Sequence, residues 1–201
     1  MAVLVLVTLP TLLPHHLTLG PGWVLAVVGV VAVLALLVVA DEPGTRRALV
    51  RWLGLGLTTI LILANTWTTG RLLDDLVTGG QATSSATVLL ASGALVWLAN
   101  TILFGLLFWE LDGGGPARRP AASPPPRDFA FPQELNPEVS PHGWRPVFAD
   151  YLYLGFTNSL AFSPTDAMPL TARAKMMMTL EAVASFLVLG LVVARAVNVL
   201  T

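Results

Sequence analysis

The run from Ser85 to Trp109 holds 25 residues without a single Asp, Glu, Lys or Arg. As a helix it would be about 38 Å long, more than the ~30 Å hydrocarbon core of a bilayer. Three more runs repeat the pattern. Trp23 to Ala40 and Trp52 to Thr69 carry no charge, and Met176 to Ala194 carries only Glu181. Four spanning helices are expected from these. The residue supply agrees: 55% of the 201 residues are hydrophobic and 11% charged, too few charges to cover a soluble domain of this size. The segment Met1 to Gly20 is a candidate fifth span, interrupted by Pro10 and Pro14. It is compatible with a short or kinked span, an interfacial segment or a signal peptide. The fold class is therefore all-α, a polytopic membrane protein of four to five spans, and the lipid bilayer is its first partner.

Other classes find no footing. Eleven basic and twelve acidic residues nearly cancel, which leaves no electrostatic footprint for nucleic acid. There is no cysteine. His15, His16 and His142 have no acid at ligand spacing and read as exposed loop residues, so no metal or cofactor is expected. No nucleophile elbow, phosphate loop or H-E-x-x-H pattern points to an enzyme.

The chain divides into N-terminal spans (1–109), a linker (110–146) and a C-terminal part (147–201). The linker holds nine of the fifteen prolines and the run "DGGGP", and its front half reads as irregular. Arg46, Arg47 and Arg51 in one connection, and Arg118, Arg119, Arg127 and Arg145 in another, place both on the cytoplasmic side of an inner, plasma-type membrane.

The C-terminal part is interrupted. Val147 to Ser163 is apolar and aromatic but only 17 residues long. Pro164 stops a helix there, because proline lacks an N–H and disfavours helix in the residue before it. Polar Thr171, Arg173 and Lys175 follow within a few residues, and then the last apolar run. A short helix, a hydroxyl-rich turn and an immediate return form the pattern of a re-entrant, pore-type loop. Such backbone is tolerated at membrane depth only where protein buries it or where it lines a wet cavity. A full crossing of 147–163 is the alternative.

These residues carry two resemblances. The stretch "DYLYLGFTNSLAFSPTDAMPLTARAKMMMTLEAVASFLVLGLVVARAV" resembles the pore helix, filter and inner helix of two-span bacterial potassium channels. Asp150, Leu152 and Tyr153 match the start of that pore helix, and Asp166, Pro169 and Thr171 match the residues after its filter. Glu181 and Arg195 recur at the spacing of its inner helix. The family's T-V-G-Y-G falls on Ala161, Phe162, Ser163, Pro164 and Thr165, so both glycines are absent and potassium selectivity is not implied. Over nearly the whole chain, the order of spans also resembles an uncharacterised bacterial membrane-protein family with a D-F segment, here Asp128-Phe129, before its D-x-L-Y run.

The resemblance implies a homo-oligomer, tetrameric by analogy, with a constriction drawn from Phe156, Thr157, Asn158, Ser159, Phe162, Ser163, Pro164, Thr165 and Asp166. Asp166 is either a cation-attracting mouth residue or a local turn cap. Asp150, Tyr153, Glu181 and Arg195 are the supporting positions: Asp150 capping the short helix, Glu181 bracing it against a hydroxyl or amide, and Arg195 snorkelling to headgroups. The expected function is that of a divergent pore-loop protein passing or sensing small ions. The competing expectation is a non-conducting scaffold or partner-binding subunit. One conflict stays open: potassium channels insert this loop from outside, whereas the arginine bias here would insert it from inside.

Overall fold

The computed structural model describes residues 2–20, 27, 29, 46–80, 85–116, 118–119, 125–161 and 167–200. The apolar run 23–40, apart from Val27 and Gly29, and the turn Phe162, Ser163, Pro164, Thr165 and Asp166 lie outside the described residues. The protein is mostly helical: α1 (Ala2–Thr8), α2 (Arg46–Thr78), α3 (Ala86–Leu111), α4 (Pro132–Leu135), α5 (Phe148–Ala161) and α6 (Ala172–Leu200). The strands β1 (Phe129–Ala130) and β2 (Met168–Pro169) form one antiparallel pair. Among the described residues two helices are long and apolar enough to cross a membrane, Ala86–Gly114 and Ala172–Asn198. They contain residues 86–109 of the first run and all of 176–194. The run 52–69 lies within α2, where Thr58, Thr59, Asn65, Thr66, Thr68 and Thr69 dilute its apolar character.

The chain forms two compact units, Met1–Leu103 with Ala184–Thr201, and Phe104–Val183. The described residues of 110–146 fall in the second unit, with α5 and the first turns of α6.

In the first unit, Leu72, Leu76, Leu89, Val96, Val188 and Val192 form an aliphatic core. Helix α2 runs nine residues beyond the end of its apolar run, because Leu72 and Leu76, one turn apart, continue its buried face. It ends at Gly79, whose φ of 78° favours glycine. The N–H groups of Gly79 and Gly80 donate to the Asp75 carbonyl at 3.0 and 2.9 Å, satisfying the end of the helix. At the N-terminus, α1 passes into a short 3-10 turn at Leu9–Leu12, with Pro10 near its start. The apolar helical stretch Ala2–Leu12 spans about 16 Å, too short to cross a bilayer. His16 is not a free loop residue. Its Nε2 lies 3.0 Å from Asp75 Oδ2, and Arg71 Nε donates to its carbonyl at 3.4 Å. Asn65 Nδ2 donates to Asn100 Oδ1, and Asn100 Nδ2 to Ser185 Oγ, each at 3.3 Å, so one polar chain ties α2, α3 and α6.

In the second unit the core is aromatic: Phe108, Phe129, Phe131 and Tyr151, with Leu154 and Met177 beside them. The sequence "DGGGP" turns the chain after α3. Gly113, Gly114 and Gly115 have φ of 56°, 77° and 90°, three successive left-handed positions that side-chain-bearing residues would occupy at a cost of about 1–2 kcal/mol each. Gly105 lets α5 approach α3: a Cβ there would stand 3.0 Å from Leu152 Cα. Helix α5 has 14 residues, about 21 Å, short of the hydrocarbon thickness.

Candidate functional site

The arrangement of α5, the return segment and α6 follows from pairwise contacts. Tyr151, in the first turn of α5, packs edge-on to Phe129 with ring centroids 6.4 Å apart. Phe129 pairs with Pro169, three residues before α6 begins. The two helices therefore start beside each other. Seven residues further along α5, Asn158 Nδ2 donates to the Met178 carbonyl and to Glu181 Oε2, both at 2.8 Å. Those partners lie six and nine residues into α6. The helices thus advance side by side in the same direction. Buried Ala167, five residues before α6, shares the aromatic core with Leu154 and Tyr151.

The sequence-selected residues fall into place as follows. Val147 N–H donates to Asp150 Oδ2 at 2.7 Å, so the Asp150 side chain caps the first turn of α5. Asn158 and Ser159 are buried, whereas Tyr153 and Phe156 are exposed on the same helix. Thr157 Oγ1 donates back to the carbonyls of Tyr153 and Leu154 at 3.0 and 3.1 Å. Glu181 is fully buried. Asn158 serves one of its oxygens, and the other, Oε1, has no hydrogen-bond partner among the described residues. Arg195 is partly buried near the end of α6. The structure thus brings Asn158 and Glu181 together, with Asp150 and Tyr153 at the entrance of α5. Phe162, Ser163, Pro164, Thr165 and Asp166 are outside the described residues.

Sequence reading missed what holds the start of α5. Asp112, fully buried at the end of α3, accepts four hydrogen bonds. Tyr151 Oη donates at 2.5 Å and Arg127 Nε at 2.7 Å to Oδ2, while the N–H groups of Asp128 and Phe129 donate to Oδ1 at 2.6 and 3.2 Å. The Tyr151 hydroxyl in turn accepts from Arg119 Nη1 at 2.8 Å and Arg127 Nη2 at 3.2 Å. Arg119 stacks over the Trp109 ring at 3.9 Å, and Arg127 Nη1 reaches Glu134 Oε1 at 3.0 Å. Asp128 closes the other side, bound by Thr171 Oγ1 at 2.5 Å and by Arg173. One buried cluster therefore clamps the end of α3, the linker, the start of α5 and the start of α6.

Its electrostatics follow from burial and charge. Burial, and then the hydrogen bond to Asp112, push the Tyr151 phenol above its ordinary value. Burial pulls Arg119 below its ordinary value. Burial acts on Arg127 the same way, but Asp112, Tyr151 and Glu134 together outweigh it and raise its pKa. With both guanidiniums charged and the phenol neutral, the donors that reach Asp112 and Tyr151 all meet an acceptor, whereas Arg119 Nε is buried with none among the described residues. The cluster's bonds tie these segments together as a latch. The cues in the sequence were an acid placed directly before three glycines, and the Asp128-Phe129 pair. No protein-family model, curated protein or solved structure matches this chain.

Proposed function

We propose that the chain is a divergent pore-loop protein of four to five spans in a bacterial inner membrane, and that its α5–turn–α6 segment forms a re-entrant loop that passes or senses small ions. The observation that carries this reading is the shared direction of α5 and α6. A full crossing by 147–163 would place the start of α6 at the far end of α5. Instead both helices begin beside the β1–β2 pair. A 14-residue helix with a non-helical return has the size and the route of a re-entrant element.

A re-entrant backbone needs protein or water around it, so the reading entails several copies around an axis, four by analogy with two-span channels. Exposed Phe156 and Leu160 on α5, and Met176, Leu180 and Val183 at helical spacing on α6, supply apolar surface for sibling subunits. Asn158 and Glu181 brace the short helix from behind. The positions that hold the filter glycines in potassium channels are Ser163 and Thr165 here, with Pro164 between them. That substitution favours a second reading: a scaffold that keeps the loop architecture without conduction.

Reconstitution into liposomes tests the proposal. Purified oligomer is expected to support a cation or anion flux that changes on Asp166→Asn or Phe156→Ala. Intact oligomers that pass no ion under any gradient would leave only the scaffold. Monomers under mild detergent, by chemical cross-linking and light scattering, would remove both the pore and its axis.

A further inference from the structure

We propose that Glu181 is a proton-binding site within α6, occupied while α5 is docked against it and emptied when the two helices separate.

The geometry of Glu181 and Asn158 carries the inference. Glu181 has no exposed surface. Its Oε2 accepts from Asn158 Nδ2 at 2.8 Å. The same nitrogen donates to the Met178 carbonyl at 2.8 Å. A carbonyl oxygen only accepts, so the Asn158 amide turns its N–H side to Glu181, and both of its protons are committed. Glu181 Oε1 is buried and has no hydrogen-bond partner among the described residues. The contrast is Asp112, also fully buried, which meets Arg127 and three further donors. Glu181 meets one neutral amide. A bare charge in such surroundings is the costliest state of a carboxyl group, and a proton on Oε1 replaces it with a neutral hydroxyl.

The neighbouring elements do not supply a compensating charge. On α5 the titratable groups are Asp150, Tyr151 and Tyr153, all in its first two turns, and Asp150 stands eight residues, about 12 Å, before Asn158. On α6, Lys175 precedes Glu181 by six residues, about 9 Å, and Arg173 is bound to Asp128. Helix α3 meets the same unit's core through Phe104, Leu107 and Phe108, and from Phe104 to Trp109 it holds no titratable group. Among the described residues no charged side chain acts on Glu181.

Asn158 lies three residues before the end of α5. Lifting that end removes the one donor and admits water. The O–H bond of Glu181 then breaks and its proton passes to water; docking again takes a proton back. Proton occupancy and the α5–α6 contact are thus two faces of one equilibrium. The inference stands whether or not ions cross the protein, so its failure and the failure of the flux experiment are separate results.

The test is infrared spectroscopy of the full chain in detergent, stepped upward from neutral pH, with an environment-sensitive fluorophore on Leu160→Cys, an exposed position of α5. A carboxylic-acid carbonyl band is expected at neutral pH and should be absent from Glu181→Gln. It should vanish as pH rises, and the fluorescence should change over the same range in the wild-type background but not with Glu181→Gln. Asn158→Leu keeps the acid and removes the hydrogen bond to Oε2, so the band should move to higher frequency; this assigns the band if Glu181→Gln does not fold. No acid band that either substitution alters, a band lost without a change at α5, or a band that persists until the protein unfolds overturns the proposal.

Discussion

Around Leu72, Leu89 and Val192 the contacts are aliphatic, relieved by polar links such as Asn65–Asn100–Ser185 and His16–Asp75. Around Tyr151 they are aromatic and ionic, centred on an acid with four hydrogen bonds and no exposure. The difference follows from what each region must specify. Lipid tails are as apolar as leucine, so aliphatic packing between membrane helices gains little over packing against lipid and fixes geometry weakly. The second unit has to hold a short helix, a two-residue strand pair and a linker dense in proline and glycine. None of these has enough length to order itself. Directional bonds to buried charges do that ordering, at a desolvation cost that is offset only while every partner is present.

The largest effect should come from breaking that cluster. Asp112→Ala strips four donors of their acceptor, and a loss of about 3–5 kcal/mol is expected, as for other broken buried pairs. Denaturant unfolding in detergent measures it, and new protease cleavage between residues 125 and 146 would locate it in the second unit.

A smaller loss is expected where a buried carboxyl group loses its one donor. Asn158→Leu leaves Glu181 without a partner among the described residues and should cost about 1–3 kcal/mol by the same measurement. Replacing both, Asn158→Leu with Glu181→Leu, should recover much of it, because the penalty belongs to the orphaned group and not to the pair.

Alkaline pH probes the same cluster without mutation. The folded Tyr151 holds its proton above the ordinary tyrosine value of about 10. Its contribution to stability is therefore complete below pH ~10 and is lost as pH rises through the folded value. In a Tyr153→Phe background only Tyr151 remains of the chain's two tyrosines. Its phenolate absorbance should lag that of denatured protein on the way up in pH. Coincident curves would place Tyr151 outside the cluster. The smallest effect belongs to the first unit: Asn100→Leu should cost only about 0.6 kcal/mol for each bond lost, within reach of the same unfolding measurement.

The long apolar helices were legible because hydrophobic length is a local signal. Residues 86–109 and 176–194 lie inside the two described helices long enough to cross a membrane. The extension of α2 to Thr78 was hidden by Arg71, Asp74 and Asp75, which read as a connection, although Leu72 and Leu76 carry the helical spacing onward. The pairing of His16 with Asp75 joins residues 59 apart, which no local pattern encodes. The latch was invisible for the same reason: Asp112 meets Arg127 and Tyr151 across 15 and 39 residues of mostly aperiodic chain. An interruption before the last helix was legible: α5 ends at Ala161 and α6 begins at Ala172, while Pro164, which suggested it, lies outside the described residues. The direction of the return was not, because it depends on Phe129 finding Pro169.

That direction is open to a decisive measurement. The chain has no native cysteine, so Val139→Cys and Lys175→Cys, both exposed, can be labelled one at a time in sealed, oriented vesicles with a membrane-impermeant maleimide. The two sites flank α5 and its return segment. Labelling of both from the same aqueous side is the expected result. Labelling from opposite sides would mean that 147–171 crosses the bilayer, and the re-entrant reading would be wrong.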